Sequence, residues 1–274
     1  MLINTSSLID HFNDTFNNKP AIGREIKLNP DVLFGFHAVK TTLKQHTSRV
    51  KKLLVISERK DERIAQVIAA AEQHNIVIER CNRKTLDELT HKGSHQGVAL
   101  LCEPIKAQSE AFLEKLLDQL SEPAFLLVLD GVTDPHNLGA CIRSADAAGV
   151  HAVIAPKNNS APLNATVAKV ACGAVDVIPY IQVTNLSRSL QQLQQRGIWI
   201  AGTSGDAQQD VYQADLVGPL ALVMGAEGKG IRRLTQENCD FLLKIPMAGE
   251  VSSLNVSVAT GVCLYEALRQ RRVL

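Results

Sequence analysis

Three short segments hold most of the residues that could do chemistry, and each adjoins an apolar run. VMGAEGKGI (Val223–Ile231) sets Glu227 among Gly225, Gly228 and Gly230. Glycines where a strand ends let the backbone turn with positive φ and let a ligand approach main-chain N–H and C=O groups. The order is GxxGxG rather than GxGxxG, and no GxxxxGK[ST] occurs, so neither phosphate-cradling fingerprint is matched. On spacing alone a plain glycine turn is the simpler reading. A loop carboxylate such as Glu227 is ordinarily solvated, so its role depends on what converges on it.

IPMAGEVSSLNVSVAT (Ile245–Thr260) delivers Ile245, Pro246 and Met247 into a turn rich in serine and asparagine. Ser252 or Ser253 suits a helix N-cap, accepting from backbone N–H groups. Asn255 and Ser257 then fall inside the first turn, among apolar Leu254, Val256, Val258 and Ala259, where polar groups must find partners. No GxSxG elbow marks a nucleophilic serine. LDGVTDPHNLGACIRSADAAG (Leu129–Gly149) ends a buried-type strand at Asp130, turns through Pro-His-Asn and enters a helix. Asn137 fits as its N-cap. Arg143 follows mid-helix beside small Ala140, Cys141, Ala145 and Ala148, a neighbourhood through which a guanidinium could reach a phosphate. A solvated surface arginine is the plainer alternative.

Other site classes find little support. The six cysteines, at 81, 102, 141, 172, 239 and 263, form no CxxC pair and no cysteine–histidine cluster with zinc spacing. Cys141, Cys172 and Cys263 lie in apolar helical patterns and read as small buried hydrophobes in reduced form. The expectation is a site without metal, with His95 in a contact or structural role and His136 a turn residue. There is no basic leader followed by an apolar stretch, and no run approaches the roughly 18 apolar residues of a membrane span. A cytoplasmic protein with no membrane partner is expected.

The elements that must position these residues come from 274 residues, 45% of them apolar, enough for a substantial core. Residues 1–30 lack periodicity apart from Leu8, Phe12 and Phe16, and read as a flexible N-terminal extension. Residues 31–104 alternate helix (FGFHAVKTTLKQ), strand (VKKLLVIS), helix (RIAQVIAAAEQHN), strand (IVIERC), helix (KTLDELTHK) and strand (GVALLCEP), a small α/β domain. Residues 105–122 form a linker and a helix. Residues 123–274 contain buried-type strands AFLLVLD, HAVIAP, VDVIPYI, GIWIAGTS, PLALVMG and FLLKIPM, runs that suit a mostly parallel sheet covered on both faces. Helices are expected at Leu138–Ala148, Leu163–Cys172, Leu186–Arg196 and from about Leu254 to Arg271. Residues 1–106 hold 16 Lys+Arg against 12 Asp+Glu, whereas the remainder holds 13 against 16. A basic front half suits RNA docking, although ordinary surface variation explains this imbalance equally well.

The three segments, in this order and spacing, resemble the SpoU/TrmH branch of the SPOUT RNA methyltransferases. The resemblance covers about residues 33–272. It is strongest in the back domain and looser in the front, through FGFHAV (Phe34–Val39) and HQGV (His95–Val98). It implies an α/β fold with a deep trefoil knot in the C-terminal domain, preceded by a small ribosomal-protein-like RNA-binding domain. It implies S-adenosylmethionine as methyl donor, with Gly225, Ile245, Met247 and Leu254 at cofactor-contacting positions. It places Asn137, Arg143, Glu227, Ser253 and Asn255 at catalytic and substrate-handling positions.

The implied reaction is transfer of a methyl group to a ribose 2'-hydroxyl. Because an arginine stays protonated, Arg143 is read as fixing a phosphate and polarising the 2'-oxygen. Proton loss is left to Glu227, Ser253 or water. The expected substrate is a guanosine in the peptidyl-transferase region of 23S rRNA, in the RNA itself or in a large-subunit assembly intermediate. A tRNA enzyme, an antibiotic-resistance rRNA methyltransferase and a non-catalytic RNA-binding assembly factor are the alternatives. The resemblance also implies a homodimer, for which Leu254, Val258, Val262, Tyr265 and Leu268 offer a stripe that an intrachain core would explain equally well.

Overall fold

A computed structural model describes residues 31–45, 47–59 and 61–272; the expected extension over residues 1–30 lies outside them. The chain divides into two compact units, Met1–Ile105 and Lys106–Leu274.

The first unit runs β1 (Asp31–Phe34), α1 (Phe36–Gln45), β2 (Val50–Ile56), α2 (Glu62–Gln73), β3 (Val77–Cys81), α3 (Arg83–Leu89) and β4 (Val98–Cys102). Its sheet has the order β1-β4-β2-β3. β2 and β3 are parallel, joined by α2, while β4 is antiparallel to both β1 and β2. β1 falls just before and into the stretch read as the first helix; four half-buried residues are too short for a periodic signal. Val39 and Leu43 of α1 pack with Ile64, Val67 and Ala71 of α2 over one sheet face. Leu86 of α3 joins Leu54, Ile56, Ala99 and Leu101 on the other. Asp61 and Asn82 cap α2 and α3 by accepting backbone N–H groups.

The second unit runs α4 (Glu110–Gln119), β5 (Phe125–Asp130), α5 (Pro135–Ala147), β6 (Ala152–Pro156), α6 (Ala165–Ala171), β7 (Tyr180–Val183), α7 (Leu186–Gln195), β8 (Trp199–Thr203), β9 (Gln209–Asp210), β10 (Leu220–Gly225), α8 (Arg233–Glu237), β11 (Phe241–Lys244) and α9 (Val256–Arg271). All its strand pairings are parallel, in the order β7-β6-β5-β10-β8-β11-β9. The chain builds outward from β5 through β6 to β7. It then crosses to β8 and the edge strand β9, and returns to lay β10 between β5 and β8.

Alternate residues of β5 divide the core, as the period of a strand requires. Phe125, Leu127 and Leu129 face Leu138, Cys141 and Ile142 of α5, with Cys263 and Leu264 of α9 in the same cluster. Leu126 and Val128 face Leu113 of α4 and Leu186, Leu190 and Leu193 of α7. α4 is therefore part of this unit. Glu110 accepts from the Thr184 N–H at 2.8 Å, and Gln108 forms a parallel bridge with Ile181.

Several local expectations are corrected. VDVIPYI was expected to be strand throughout, but Ala174–Asp176 is a 3-10 turn and β7 starts only after Pro179; an apolar run alone does not separate the two. The N-cap of α5 is Asp134, not Asn137, with Pro135 opening the helix and His136 inside its first turn. The cap of the last helix is Asn255, not Ser252 or Ser253, so that helix opens at Val256 rather than near Leu254.

Candidate active site

The C-terminal ends of β8, β10 and β11 surround a cavity of about 380 Å³, within the size range of small-molecule sites. Parallel sheets place ligands at this end of their strands. Three loops wall the cavity. The loop after β8 contributes Thr203–Asp206, that after β10 contributes Gly225–Ile231, and that after β11 contributes Ile245, Met247 and Ser252–Leu254. Gly225, Ile245, Met247 and Leu254 all line it, as do Glu227 and Ser253.

The glycine loop is shaped by its own backbone. Ala226 and Gly230 exchange N–H···O bonds of 3.1 and 2.8 Å, which puts Glu227 at the exposed tip of a tight turn. A Cβ on Gly225 would run into the backbone of Gly230 and Ile231. Gly225 thus permits the close approach of two stretches of main chain. Beneath the loop lies a pair the sequence reading overlooked. Asp130, fully buried at the end of β5, accepts from Arg232 Nε at 2.6 Å and from the Arg232 N–H at 2.9 Å. The pair ties the exit of the loop to the centre of the sheet. An acid closing a buried strand was the available clue, but its partner is 102 positions away.

Asn255, from the second segment, supplies the connection between loops. The Asn255 Nδ2 group donates to Asn137 Oδ1 at 3.1 Å and to Glu227 Oε2 at 3.3 Å. Asn255 Oδ1 in turn accepts from the N–H and hydroxyl of Ser257, at 3.0 and 2.6 Å. Residues from α5, the β10 loop and the start of α9 are therefore joined in one hydrogen-bonded cluster beside the cavity. Its electrostatic character is a carboxylate held at the tip of a loop that also carries Lys229, with Lys244 of β11 also lining the cavity.

Arg143 is not brought into this cluster. It is exposed on α5, and its guanidinium donates to Cys172 Sγ at 3.5 Å. The small residues thought to clear a path for it serve packing instead. Cys141, Ala145 and Ala148 are buried on the core face of α5, and Cys141 Sγ lies 3.5 Å from Thr260 Oγ1 of α9. Gly139 lets α6 approach so closely that a Cβ there would meet Val170 and the Val167 carbonyl. Burial pushes the Cys141 thiol up to about 11 and the Cys263 thiol up to about 12, in keeping with inert core residues. Cys172, expected to be buried, is exposed and caps α6 in a left-handed conformation.

His95 and His136 each have a local partner. His95 is buried, its Nε2 lying 3.1 Å from Asp87 Oδ1 and its Nδ1 accepting from the Gly97 N–H at 3.0 Å. It is a structural residue of the first unit. His136 is exposed and sits beside Asp134. Among the described residues no group of His, Cys, Asp and Glu is arranged to hold a metal ion, and no helix is long and apolar enough to cross a membrane.

Comparison with known proteins bears on this geometry. Residues 124–265 match the SpoU rRNA Methylase family, and residues 32–108 match the family described as RNA 2'-O ribose methyltransferase substrate binding. The chain is 57% identical over 239 residues to the 23S rRNA (guanosine-2'-O-)-methyltransferase RlmB of Pseudomonas aeruginosa, covering 87% of this chain and 96% of that protein. It is 54% identical over 241 residues to the enzyme of the same name from Escherichia coli, covering 88% and 99%. Among solved structures, one described as an RNA 2'-O ribose methyltransferase superposes with a TM-score of 0.73 at 28% identity, covering 90% of each chain. The SpoU methyltransferase AviRb from Streptomyces viridochromogenes, solved with AdoMet, gives 0.74 at 23% identity over 99% of this chain and all of that one, a likeness of fold. This chain therefore belongs to the SpoU rRNA methylase family.

Proposed function

We propose that this chain is an S-adenosylmethionine-dependent methyltransferase that methylates the ribose 2'-hydroxyl of a guanosine in the peptidyl-transferase region of 23S rRNA. The observation that carries the proposal is the adjacency of two features. One is a glycine- and apolar-lined cavity at the C-terminal strand ends. The other is the Asn137–Asn255–Glu227 cluster beside it. The activity for which relatives at 54% and 57% identity are named supports the same reading.

The cavity residues suit the cofactor. Its walls combine main chain brought close at Gly225 with apolar side chains from Ile245, Met247 and Leu254, which would hold an adenosyl group by backbone hydrogen bonds and packing. When bound, S-adenosylmethionine supplies a methyl group on a sulfonium, already a good electrophile. What remains for the protein is to place the 2'-oxygen in line and to take its proton. Glu227 is the proton acceptor in this reading: Asn255 engages Oε2 and leaves Oε1 for the substrate. Asn137 offers its amide N–H groups to a ribose or phosphate oxygen, with Ser253 at the rim. Arg143, exposed on α5, holds a phosphate and favours negative charge on the 2'-oxygen.

The remaining parts of the proposal concern assembly. Residues 31–104 serve as the RNA-docking domain and residues 123–274 as the methyltransferase domain, with α4, from the intervening 105–122, packed on the latter. The late insertion of β10 between β5 and β8 is the strand order on which a trefoil knot would be built. The chain works as a cytoplasmic homodimer, with α9 supplying the shared surface. In support, Val258 and Tyr265 are each 52% exposed on the side of α9 turned away from Cys263 and Leu264.

Primer extension at low dNTP on 23S rRNA tests the proposal, because reverse transcriptase pauses at 2'-O-methyl sites. Cells lacking the gene should lose one stop in the peptidyl-transferase region. The wild type should restore it and Arg143→Ala should not, although the Arg143→Ala protein binds S-adenosylmethionine almost normally. An unchanged rRNA pattern would reject this substrate, and equal loss of transfer and cofactor binding would reject the role given to Arg143.

A further inference from the structure

We infer that Ser257 is a positioning residue for methyl transfer, acting through Asn255 on both Asn137 and Glu227. The inference rests on the function proposed above and concerns how the cluster is aimed.

The argument starts from the chemistry of an amide. A backbone N–H can only donate, so the Asn255 atom facing the Ser257 N–H at 3.0 Å must be the oxygen. This settles the orientation of the amide and sends Nδ2 outward. Both protons of Nδ2 are then engaged, one at Asn137 Oδ1 and one at Glu227 Oε2. Asn137, its oxygen turned toward Asn255, presents its Nδ2 donors on the other side. Glu227, with one oxygen occupied, has one left.

With one hydrogen bond on Oδ1, the plane of the amide is left to the two longer Nδ2 contacts, at 3.1 and 3.3 Å. A second, on the other lone pair, fixes its plane. The Ser257 hydroxyl makes that second bond at 2.6 Å. The helix cap does not require it, because the N–H bond alone satisfies the orphan donor. Ser257 does not line the cavity, so its influence on the reacting atoms passes through Asn255.

Kinetics of the purified full-length chain, with radiolabelled S-adenosylmethionine and unmodified 23S rRNA, test this. Ser257→Ala keeps the backbone N–H and puts a better helix former in the first turn, so thermal stability should hold or rise. The kcat should fall about tenfold, with KM for S-adenosylmethionine unchanged. Ser257→Thr, which restores a hydroxyl, should recover most of the rate. In an Asn255→Ala background, Ser257→Ala should cause no further loss, because the two residues act as one unit.

A Ser257→Ala enzyme with wild-type kcat, or one whose loss adds to that of Asn255→Ala, overturns the inference and leaves the proposed function standing. So does a fall in kcat that Ser257→Thr fails to relieve. A wild-type protein inactive on every RNA tried removes both.

Discussion

Two glycine-containing loops, one in each unit, carry a titratable side chain and use it in opposite ways. In the first unit, Lys92 and Gln96 adopt left-handed backbone conformations on either side of His95. The ring of His95 is buried with both nitrogens engaged, by Asp87 and by the Gly97 N–H. In the second unit, Gly228 and Gly230 bend the loop that carries Glu227. There the side chain is exposed, and a single oxygen is held by Asn255. A side chain whose every polar atom is satisfied by its own loop and the helix before it is scaffold. One held by part of its capacity, at the mouth of a cavity, is positioned to act on something else. Glycine content and residue type do not separate the two cases; the count of engaged atoms does.

The contrast is breakable in three places. The largest effect is expected at Glu227→Gln, which keeps shape and removes the proposed proton acceptor. Its kcat should fall by about 10³-fold, in the range for loss of a general base, while calorimetry shows S-adenosylmethionine still bound and the melting temperature nearly unchanged. A full-speed Glu227→Gln enzyme would put the carboxylate with the scaffold after all. Next comes Arg232→Ala, which strands the buried Asp130 without its cation. Breaking such a pair costs about 3 kcal/mol, placed at the low end because Arg232 is itself half-exposed. Denaturant unfolding should show that loss, and retention of full stability would mean that water satisfies Asp130. The smallest effect is expected at His95→Ala. Removing both ring contacts should lower stability by about 2 kcal/mol, with kcat on RNA already bound within a factor of two of wild type. A large fall in kcat there, without loss of stability, would move His95 from scaffold to chemistry.

The sequence was informative about elements and poor at distances. Apolar runs located the interior strands of the second unit because a parallel sheet buried on both faces demands them. They misplaced the start of β7, where Val175, Val177 and Ile178 are apolar residues of a turn rather than a strand. They missed β9, which is only Gln209–Asp210. The helix starts went wrong for a shared reason. Ser252, Ser253 and Asn255 are all competent caps, and only the folded backbone decides which N–H groups are presented to which side chain.

The site residues came from the family resemblance, since spacing gave no sign that Asn137 and Asn255, 118 positions apart, would touch. The small residues around Arg143 were read as access to a ligand. They are better explained by helix packing, because a short side chain serves close approach of any kind. On sequence alone, the stripe on the last helix suits a dimer surface and an intrachain core equally. Core residues Val256, Thr260, Cys263, Leu264 and Ala267 lie on the other side of α9, which leaves Val258 and Tyr265 to solvent in the single chain.

The position of β10 also sets the order in which this unit can be completed. β10 pairs along its length with β5 on one side and with β8 on the other, Leu220 opposite both Phe125 and Trp199. As the chain is synthesised, β5 through β9 emerge before β10, and β8 and β9 also wait for β11 to join them. Until β10 arrives, β5 and β8 each present an open edge, the kind of surface on which chains associate wrongly. Closure of so distant a pairing is intrinsically slow. Refolding of the second unit should therefore be limited by the docking of β10, and a chain truncated before Leu220 should remain incomplete and prone to aggregate.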